Sequence, residues 1–281
     1  MKSRAAAGPL AAGWLLKRAR ELSEPVAALV APRAEAERGV PPRRLRARTG
    51  APGAREFAEG GRQAAAALAA VLHDAGGSVG EARSVLDFGC GSGRVLPHMA
   101  ALAPNARCTG CDVDAAAITW AARHLPGLDW SLSAAVPPLP FGPGQFDLIY
   151  SISVFSHLDE PLQDRWLDEL RRVLAPGGMA LLTVHGPYAS EQFRTGAVRT
   201  RWCPPSAFAR GPLGEDELAF EPYVRSVFNR AELPGVGASY GLAFHGHGYL
   251  RRHWPAWLEV LGVHERAVSD WQDVVVCRNS G

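Results

Sequence analysis

Three glycines at alternate positions, Gly89, Gly91 and Gly93, follow a short apolar run in the stretch VLDFGCGSGRVL, Val85 to Leu96. Glycine after a strand removes Cβ atoms and lets backbone N–H groups come within hydrogen-bonding distance of a ligand. A dinucleotide loop reads GxGxxG and seats a pyrophosphate on a helix N-terminus. That register fails here: counted from Gly89 the third glycine falls on Arg94, and counted from Gly91 it falls on Leu96. The spacing argues against a nicotinamide-dependent oxidoreductase. Asp87 stands two residues before the first glycine, and an acid there suits a ligand with a positive amino group and no pyrophosphate. Two histidines stand where a proton could be taken, His157 in SVFSHLDE and His245 in AFHGHG. An imidazole titrates near neutrality and is the most frequent general base. Each also has a plain structural reading, His157 ordering the turn before a helix and His245 ending a strand. His247, Asp159 and Tyr150 are further candidates. No metal is expected: the pair at His245 and His247 stands alone, and a metal site needs more ligands. The CxxC at Cys108 and Cys111 falls inside an apparent strand, and the five cysteines are too scattered for a disulfide framework.

These residues are positioned by an alternation of elements. SVLDFG (84–89) is a short apolar run suited to a buried parallel strand. RVLPHMAALA (94–103) follows as a helix with Pro97 in its first turn. RCTGCDV, LDWSLS and QFDLIYSIS read as the second, third and fourth strands, with AAAITWAARHL as the helix between the second and third. Leu162, Trp166, Leu170, Val173 and Leu174 share one face of a helix opened by Asp159 and Pro161 and stopped by PGG at 176–178. MALLTVHG (179–186) is the fifth strand. Strands alternating with helices predict βαβ units and a mostly parallel sheet covered on both faces. Residues 187–240 break the rhythm and read as an insertion rich in Gly, Pro and aromatics. After it GLAFHG, YLRRHWPAWLEVLGV and DVVVCRN read as strand, helix, strand.

VLDFGCGSGRVL resembles the first motif of the class I S-adenosylmethionine (SAM)-dependent methyltransferases. CTGCDVD, PLPFGPGQFDLIYSISVFSHL and LRRVLAPGGMALLTV resemble later blocks of that family, in order, so that the likeness covers about residues 84–186. The resemblance implies a Rossmann-like three-layer α/β sandwich: a seven-stranded, mostly parallel sheet with an antiparallel C-terminal strand, under an N-terminal helical lid. It implies SAM as cofactor. Asp87 and the backbone of Phe88, Gly89, Cys90, Gly91 and Gly93 would line the methionine and ribose part, Asp112 would hold the ribose hydroxyls, and Val113 would pack on the adenine. Ala134 and Ala135 stand where the family often carries an Asp or Asn for the adenine amino group, so recognition there falls to backbone or to Ser133. Ser151 and Ser153 would lie beside the sulfonium.

Methyl transfer is an in-line displacement with a good leaving group, so the protein mostly aligns and desolvates. A base is needed only where the nucleophile holds its proton, and His157 and His245 are the residues for that role. The resemblance divides the chain into a basic, helical segment and lid at 1–75 and a methyltransferase domain at 76–281 that carries the 187–240 insertion. Residues 1–62 hold 13 Lys/Arg against 6 Asp/Glu, whereas the remainder holds 17 against 22. Arg43, Arg44, Arg46 and Arg48 could face an anionic substrate. Phe193, Trp202, Phe208, Phe220, Tyr223 and Phe228 suggest either a roofed apolar pocket or a small core of the insertion itself. The reading is transfer to O or N of a small-molecule acceptor (a sugar, natural product or lipid-like compound). C-methylation and a non-catalytic SAM-binding role are the alternatives. A mildly acidic body without a basic, aromatic-laced stripe argues against nucleic acid. No apolar run reaches the ~18 residues of a membrane span, and the short N-terminal apolar stretch followed by KRAR has the wrong polarity for a signal peptide. The expectation is a cytoplasmic protein with no integral membrane association.

Overall fold

The computed structural model describes residues 39–198, 211–223 and 239–281. The candidate helix around Trp14 to Leu29 lies outside them, as do Trp202, Phe208 and Phe228. Seven strands form one sheet: β1 (Ser84–Phe88), β2 (Arg107–Asp112), β3 (Asp129–Leu132), β4 (Phe146–Ser151), β5 (Leu174–Val184), β8 (Glu259–Val268) and β9 (Gln272–Arg278). Their order is β3-β2-β1-β4-β5-β9-β8. β9 runs antiparallel to both of its neighbours, and the other pairings are parallel. The order reverses between β1 and β4, which opens a crevice at the carboxyl ends of those two strands.

Alternation along each strand feeds two cores. Val85, Tyr150, Val274 and Val276 face one layer; Leu86, Ile149, Val275 and Cys277 face the other. Cys108 and Cys111, three apart on β2, fall on opposite faces and are free, buried thiols. Helix α1 (Arg43–Arg46) begins the described chain. Helix α2 (Ala54–Asp74) buries Phe57, Ala64, Ala65, Leu68, Val71 and Leu72 along one stripe and joins the layer of Val85 and Val274. Gly61, a poor helix former, is there for a reason of contact: a Cβ at that position would strike the carbonyl of Arg94. Helices α3 (Leu96–Leu102) and α4 (Ala115–His124) follow β1 and β2. Helix α5 (Glu160–Val173) turns its buried face, with Leu162, Trp166 and Leu170, to the opposite layer. Asp159 caps it by accepting the Leu162 N–H.

The segment after the fifth strand departs from the sequence reading. Helix α6 (Pro187–Arg194) is followed by β6 (Leu218–Pro222) and β7 (Gly241–His245), which pair in an antiparallel ribbon outside the main sheet. GLAFH is therefore a strand but not the sixth strand of the sheet. That place belongs to Glu259–Val268, whose first five residues, Glu259 to Val263, the sequence reading puts at the end of a helix. Pro255 is the physical reason: helix α7 (His247–His253) gives way to a 3-10 turn at Trp254–Ala256, because proline lacks the N–H that a continuing helix needs. β8 is an edge strand with two register shifts, which blurs its alternation. β5 begins at Leu174 instead of Met179 and carries Pro176–Gly178 as an irregularity opposite Phe146–Leu148.

Candidate active site

The glycine loop is tied down before any ligand arrives. Gly89 and Cys90 both donate N–H bonds to the Cys111 carbonyl, at 2.9 and 3.0 Å. Gly91 donates its N–H to one carboxylate oxygen of Asp112 at 2.7 Å, and Asp114 donates to the other at 2.8 Å. All three loop glycines have positive φ, between +54° and +81°. Their surroundings differ. A Cβ on Gly89 would strike Val154, and one on Gly93 would lie 2.6 Å from both Leu125 and Trp130. A Cβ on Gly91 would meet only the Thr49 methyl, at 3.3 Å. Gly91 is thus the glycine whose missing side chain leaves room for a ligand, while Gly93 is required by packing.

The loop borders a cavity of about 360 Å³ at the β1/β4 crevice. Of the residues expected to bind the cofactor, Asp87, Phe88, Gly89, Cys90, Gly91, Asp112, Val113, Ala135 and Ser153 line it. Ala134, Ser151 and Gly93 do not: Ala134 points to solvent, Ser151 is fully buried in the sheet, and Gly93 sits beneath Trp130. Ser133, the possible substitute on the adenine side, does line the cavity.

The two carboxylates are electrostatically unusual. Burial pushes the Asp87 carboxyl up to about 7, and the nearby Asp112 charge adds to this; the Tyr150 hydroxyl, donating to Asp87 at 2.8 Å, and the Arg94 guanidinium oppose it. Burial also raises Asp112, against the backbone N–H bonds that favour its charged form, those of Asp114 and Gly91 first. Two acids lining one cavity and lacking a full complement of cations await a positive group and hydrogen-bond donors. Ser92, on the same loop, has a buried hydroxyl without a protein partner. This donor and acceptor set fits the amino group and ribose hydroxyls of SAM.

Over this half of the cavity lies a strap from the N-terminal segment, Leu45 to Gly50. Arg48 bonds to Asp114, which at the same time caps α4 by accepting the N–H groups of Ala116 and Ala117. Arg46 is buried and donates to the carbonyls of Pro41 and Pro52, so it shapes the strap instead of meeting a substrate. Arg43 and Arg44 are exposed. Sequence reasoning placed a lid here but did not single out Leu45 or Thr49.

The other half of the cavity is apolar and aromatic. Ile152, Val154, Leu158, Trp166, Tyr223 and Tyr240 line it. Tyr223 comes from the insertion, and with Phe193 it also joins the ribbon's own small core, so both expectations for those aromatics hold in part. Ser153 sits at the boundary with φ of +60°, a conformation rare outside glycine. It is held there by its N–H bond to Thr183 Oγ1, 2.8 Å, and by Gln272 donating to its hydroxyl, 2.6 Å.

His157 faces this half from a 3-10 turn, Phe155–His157, after β4. Its Nδ1 lies 2.9 Å from the Gly241 carbonyl and 3.0 Å from the Tyr223 hydroxyl. A carbonyl can only accept, so Nδ1 carries the proton and Nε2 carries the lone pair. Burial holds the imidazole below its usual range, and it is neutral at pH 7. A neutral imidazole with a basic Nε2 at a cavity wall can accept a proton from a bound acceptor. His245 does not share this site. It is fully buried, does not line the cavity, and its Nε2 is bonded to Gln163 at 3.0 Å. Burial drives its pKa down to about 3. Its expected catalytic role is therefore corrected, since a ring sealed in the core cannot touch reacting atoms. Among the described residues no group of three or more His, Cys, Asp or Glu side chains is placed to hold a metal ion.

Residues 85–178 match the family model of a methyltransferase domain. The chain is 36% identical over 159 residues to a tRNA (carboxymethyluridine(34)-5-O)-methyltransferase of Arabidopsis thaliana, a match covering 55% of this chain and 37% of that protein. It is 34% identical over 116 residues to a malonyl-[acyl-carrier protein] O-methyltransferase of Legionella pneumophila, covering 40% of each. The chain thus spans about two fifths of the length of these curated relatives. Among solved structures, a 1,6-didemethyltoxoflavin-N1-methyltransferase of Burkholderia thailandensis, with bound 1,6-didemethyltoxoflavin and S-adenosylhomocysteine, shares the fold. The TM-score is 0.50 at 15% identity, over 78% of this chain and 79% of that one.

Proposed function

We propose that this chain, a member of the class I SAM-dependent methyltransferases by its 85–178 domain, transfers a methyl group to an oxygen or nitrogen of a small-molecule acceptor, with His157 as general base. When bound, SAM would supply an activated methyl group on a sulfonium, whose methyl–sulfur bond breaks as the new bond forms, the electron pair leaving with S-adenosylhomocysteine. Asp112 accepts the ribose hydroxyls on oxygens already oriented by Gly91 and Asp114, Asp87 faces the amino group, and the strap with Arg48 and Thr49 excludes water from above. His157 Nε2 takes the proton that the acceptor loses as its lone pair is committed to the new bond. The observation that carries this reading is the tautomer: the Gly241 carbonyl holds the proton on Nδ1, which leaves Nε2 as the basic nitrogen of a ring that lines the cavity.

The aromatic and aliphatic lining of the acceptor half supports a small apolar acceptor, because such pockets bury ligand surface and orient it with few polar groups. A nucleic-acid acceptor, as in the tRNA-modifying relative, is the second reading and rests on that similarity. The test uses SAM with a labelled methyl group against a metabolite extract and, separately, an RNA fraction. Label in a small molecule, lost by roughly 10²–10⁴-fold in rate in His157→Ala while S-adenosylhomocysteine still binds, is the expected result. Label in RNA alone, or undiminished transfer by His157→Ala, overturns it.

A further inference from the structure

His245 lies outside the cavity, yet it is connected to the residue that matters there. Its Nε2 meets the Gln163 side-chain oxygen at 3.0 Å. The Gln163 amide nitrogen donates to the carbonyls of Phe155, 3.2 Å, and Leu158, 2.9 Å. Those two carbonyls fix which way the amide points, so its oxygen is the acceptor and His245 Nε2 is the donor. Phe155 and Leu158 flank His157 in sequence, and Gln163 and His245 are both fully buried. A buried amide with three protein partners is expensive to leave half-satisfied, so the arrangement is stiff.

The same strand approaches His157 from its other end. β7 offers the Gly241 carbonyl to the imidazole Nδ1, and Tyr240 forms a bridge with Leu158. The turn is therefore gripped at two places by one strand: at the ring by Gly241, and at the backbone through Gln163 by His245. The Nδ1 of His245 is buried without a hydrogen-bond partner, so the ring serves here as a single N–H donor.

We infer that His245, through Gln163, is a positioning residue that holds the Phe155–Leu158 turn against β7 so that His157 keeps its proton on Nδ1. This rests on the reading of His157 as the base, but its test does not need the acceptor. The probe is the full chain labelled with ¹⁵N-histidine, in which each ring's tautomer is read by NMR, alongside calorimetry with S-adenosylhomocysteine and a melting curve. Wild type shows His157 as the Nδ1–H form alone. His245→Phe keeps a ring beside Tyr249 and Trp254 but has no donor; Gln163→Met keeps the shape but has no amide. Each gives a mixture of His157 tautomers, with S-adenosylhomocysteine affinity within about twofold of wild type. The double variant strands no side-chain group and leaves only the Phe155 and Leu158 carbonyls without their donor, so it melts above Gln163→Met, yet its His157 remains a mixture. A purely structural role predicts that the tautomer recovers with stability. A single Nδ1–H tautomer of His157 in the folded double variant overturns the inference. Absence of S-adenosylhomocysteine binding to wild type would instead remove the methyltransferase reading and leave the tautomer result standing.

Discussion

Gly91 and Gly93 look equivalent in DFGCGSG, and the structure predicts that they fail in opposite ways. In Gly93→Ala the new methyl group lies 2.6 Å from both Leu125 and Trp130, at a φ of +77°. The left-handed backbone costs about 1–2 kcal/mol for a residue with a Cβ, and forcing a methyl into packed surroundings costs about 1–3 kcal/mol more. The sum, about 2–5 kcal/mol, corresponds to a melting temperature lower by about 4–10 °C at the ~2 °C per kcal/mol suited to a chain of this size. In Gly91→Ala the φ of +54° already lies in the left-handed well, and the nearest atom is the Thr49 methyl at 3.3 Å. The stability loss is then about 1–2 kcal/mol, or about 2–4 °C, but the methyl group occupies space at the cavity wall. Overpacking of about 1–3 kcal/mol against a bound ligand weakens binding by about 5- to 150-fold. Scanning calorimetry and titration with S-adenosylhomocysteine on both variants decide the matter. A Gly93→Ala protein that melts like wild type but binds poorly, or a Gly91→Ala protein that binds normally, would refute the assignment of one glycine to packing and the other to the ligand.

Four further outcomes follow from the electrostatics of the cavity. Because the empty protein holds a proton on Asp87 below about pH 7, and a ligand ammonium favours the carboxylate, S-adenosylhomocysteine affinity should rise about tenfold per pH unit up to that value and then level off; titrations from pH 5.5 to 8.5 would show this, and Asp87→Asn should flatten it. The same raised pKa means that the folded state binds more protons than the unfolded one between the ordinary carboxylate range and about 7, so Asp87 withdraws stability as pH rises through that window; Asp87→Asn should therefore gain in melting temperature relative to wild type at pH 8 but not at pH 4. Asp112→Asn must turn an NH₂ toward either the Gly91 or the Asp114 N–H, whichever way it points, and should weaken S-adenosylhomocysteine binding by at least about tenfold, at ~1.5–3 kcal/mol for a bond to a charged group, as titration calorimetry would show. Arg48→Ala releases the strap from Asp114; a partly exposed pair of this kind is worth up to about 1 kcal/mol, so a loss of about threefold to fivefold in affinity, expressed as faster release in stopped flow, is expected.

The parallel sheet was legible because its strands are short apolar runs bounded by turns, and the cofactor half of the cavity because its contacts are local: Gly89 to Asp112 lie on adjacent strand ends. The acceptor half was less legible, since it depends on partners distant in sequence. Tyr223, from the insertion, reaches the His157 ring, and the tautomer of His157 is set by the Gly241 backbone carbonyl, which has no side-chain signature at all. His157, in the turn before a helix, and His245, at a strand end, are equal candidates as sequence; only burial separates a ring at the cavity wall from a ring donating to Gln163. β8 is hidden in the sequence because YLRRHWPAWLEVLGV reads as one helix through Pro255 and because bulges blur the strand's alternation.

The position of β9 has a consequence for how this protein is made. β9 lies between β5 and β8, and it pairs Met179 with Arg278 and Val260 with Cys277. On the ribosome, β5 and β8 both emerge before the strand that joins them, so each waits with a bare edge and a row of unanswered N–H and C=O groups. β8 and β9 are close in sequence, but the β5–β9 contacts are far apart and form slowly because loop closure must precede them. Until β9 has been synthesised the sheet cannot close between β5 and β8, and an open strand edge of this kind is prone to pairing with its neighbours. Occupation of the β1–β4 half by cofactor during that interval would stabilise the part that can fold early and shorten the exposure of the part that cannot.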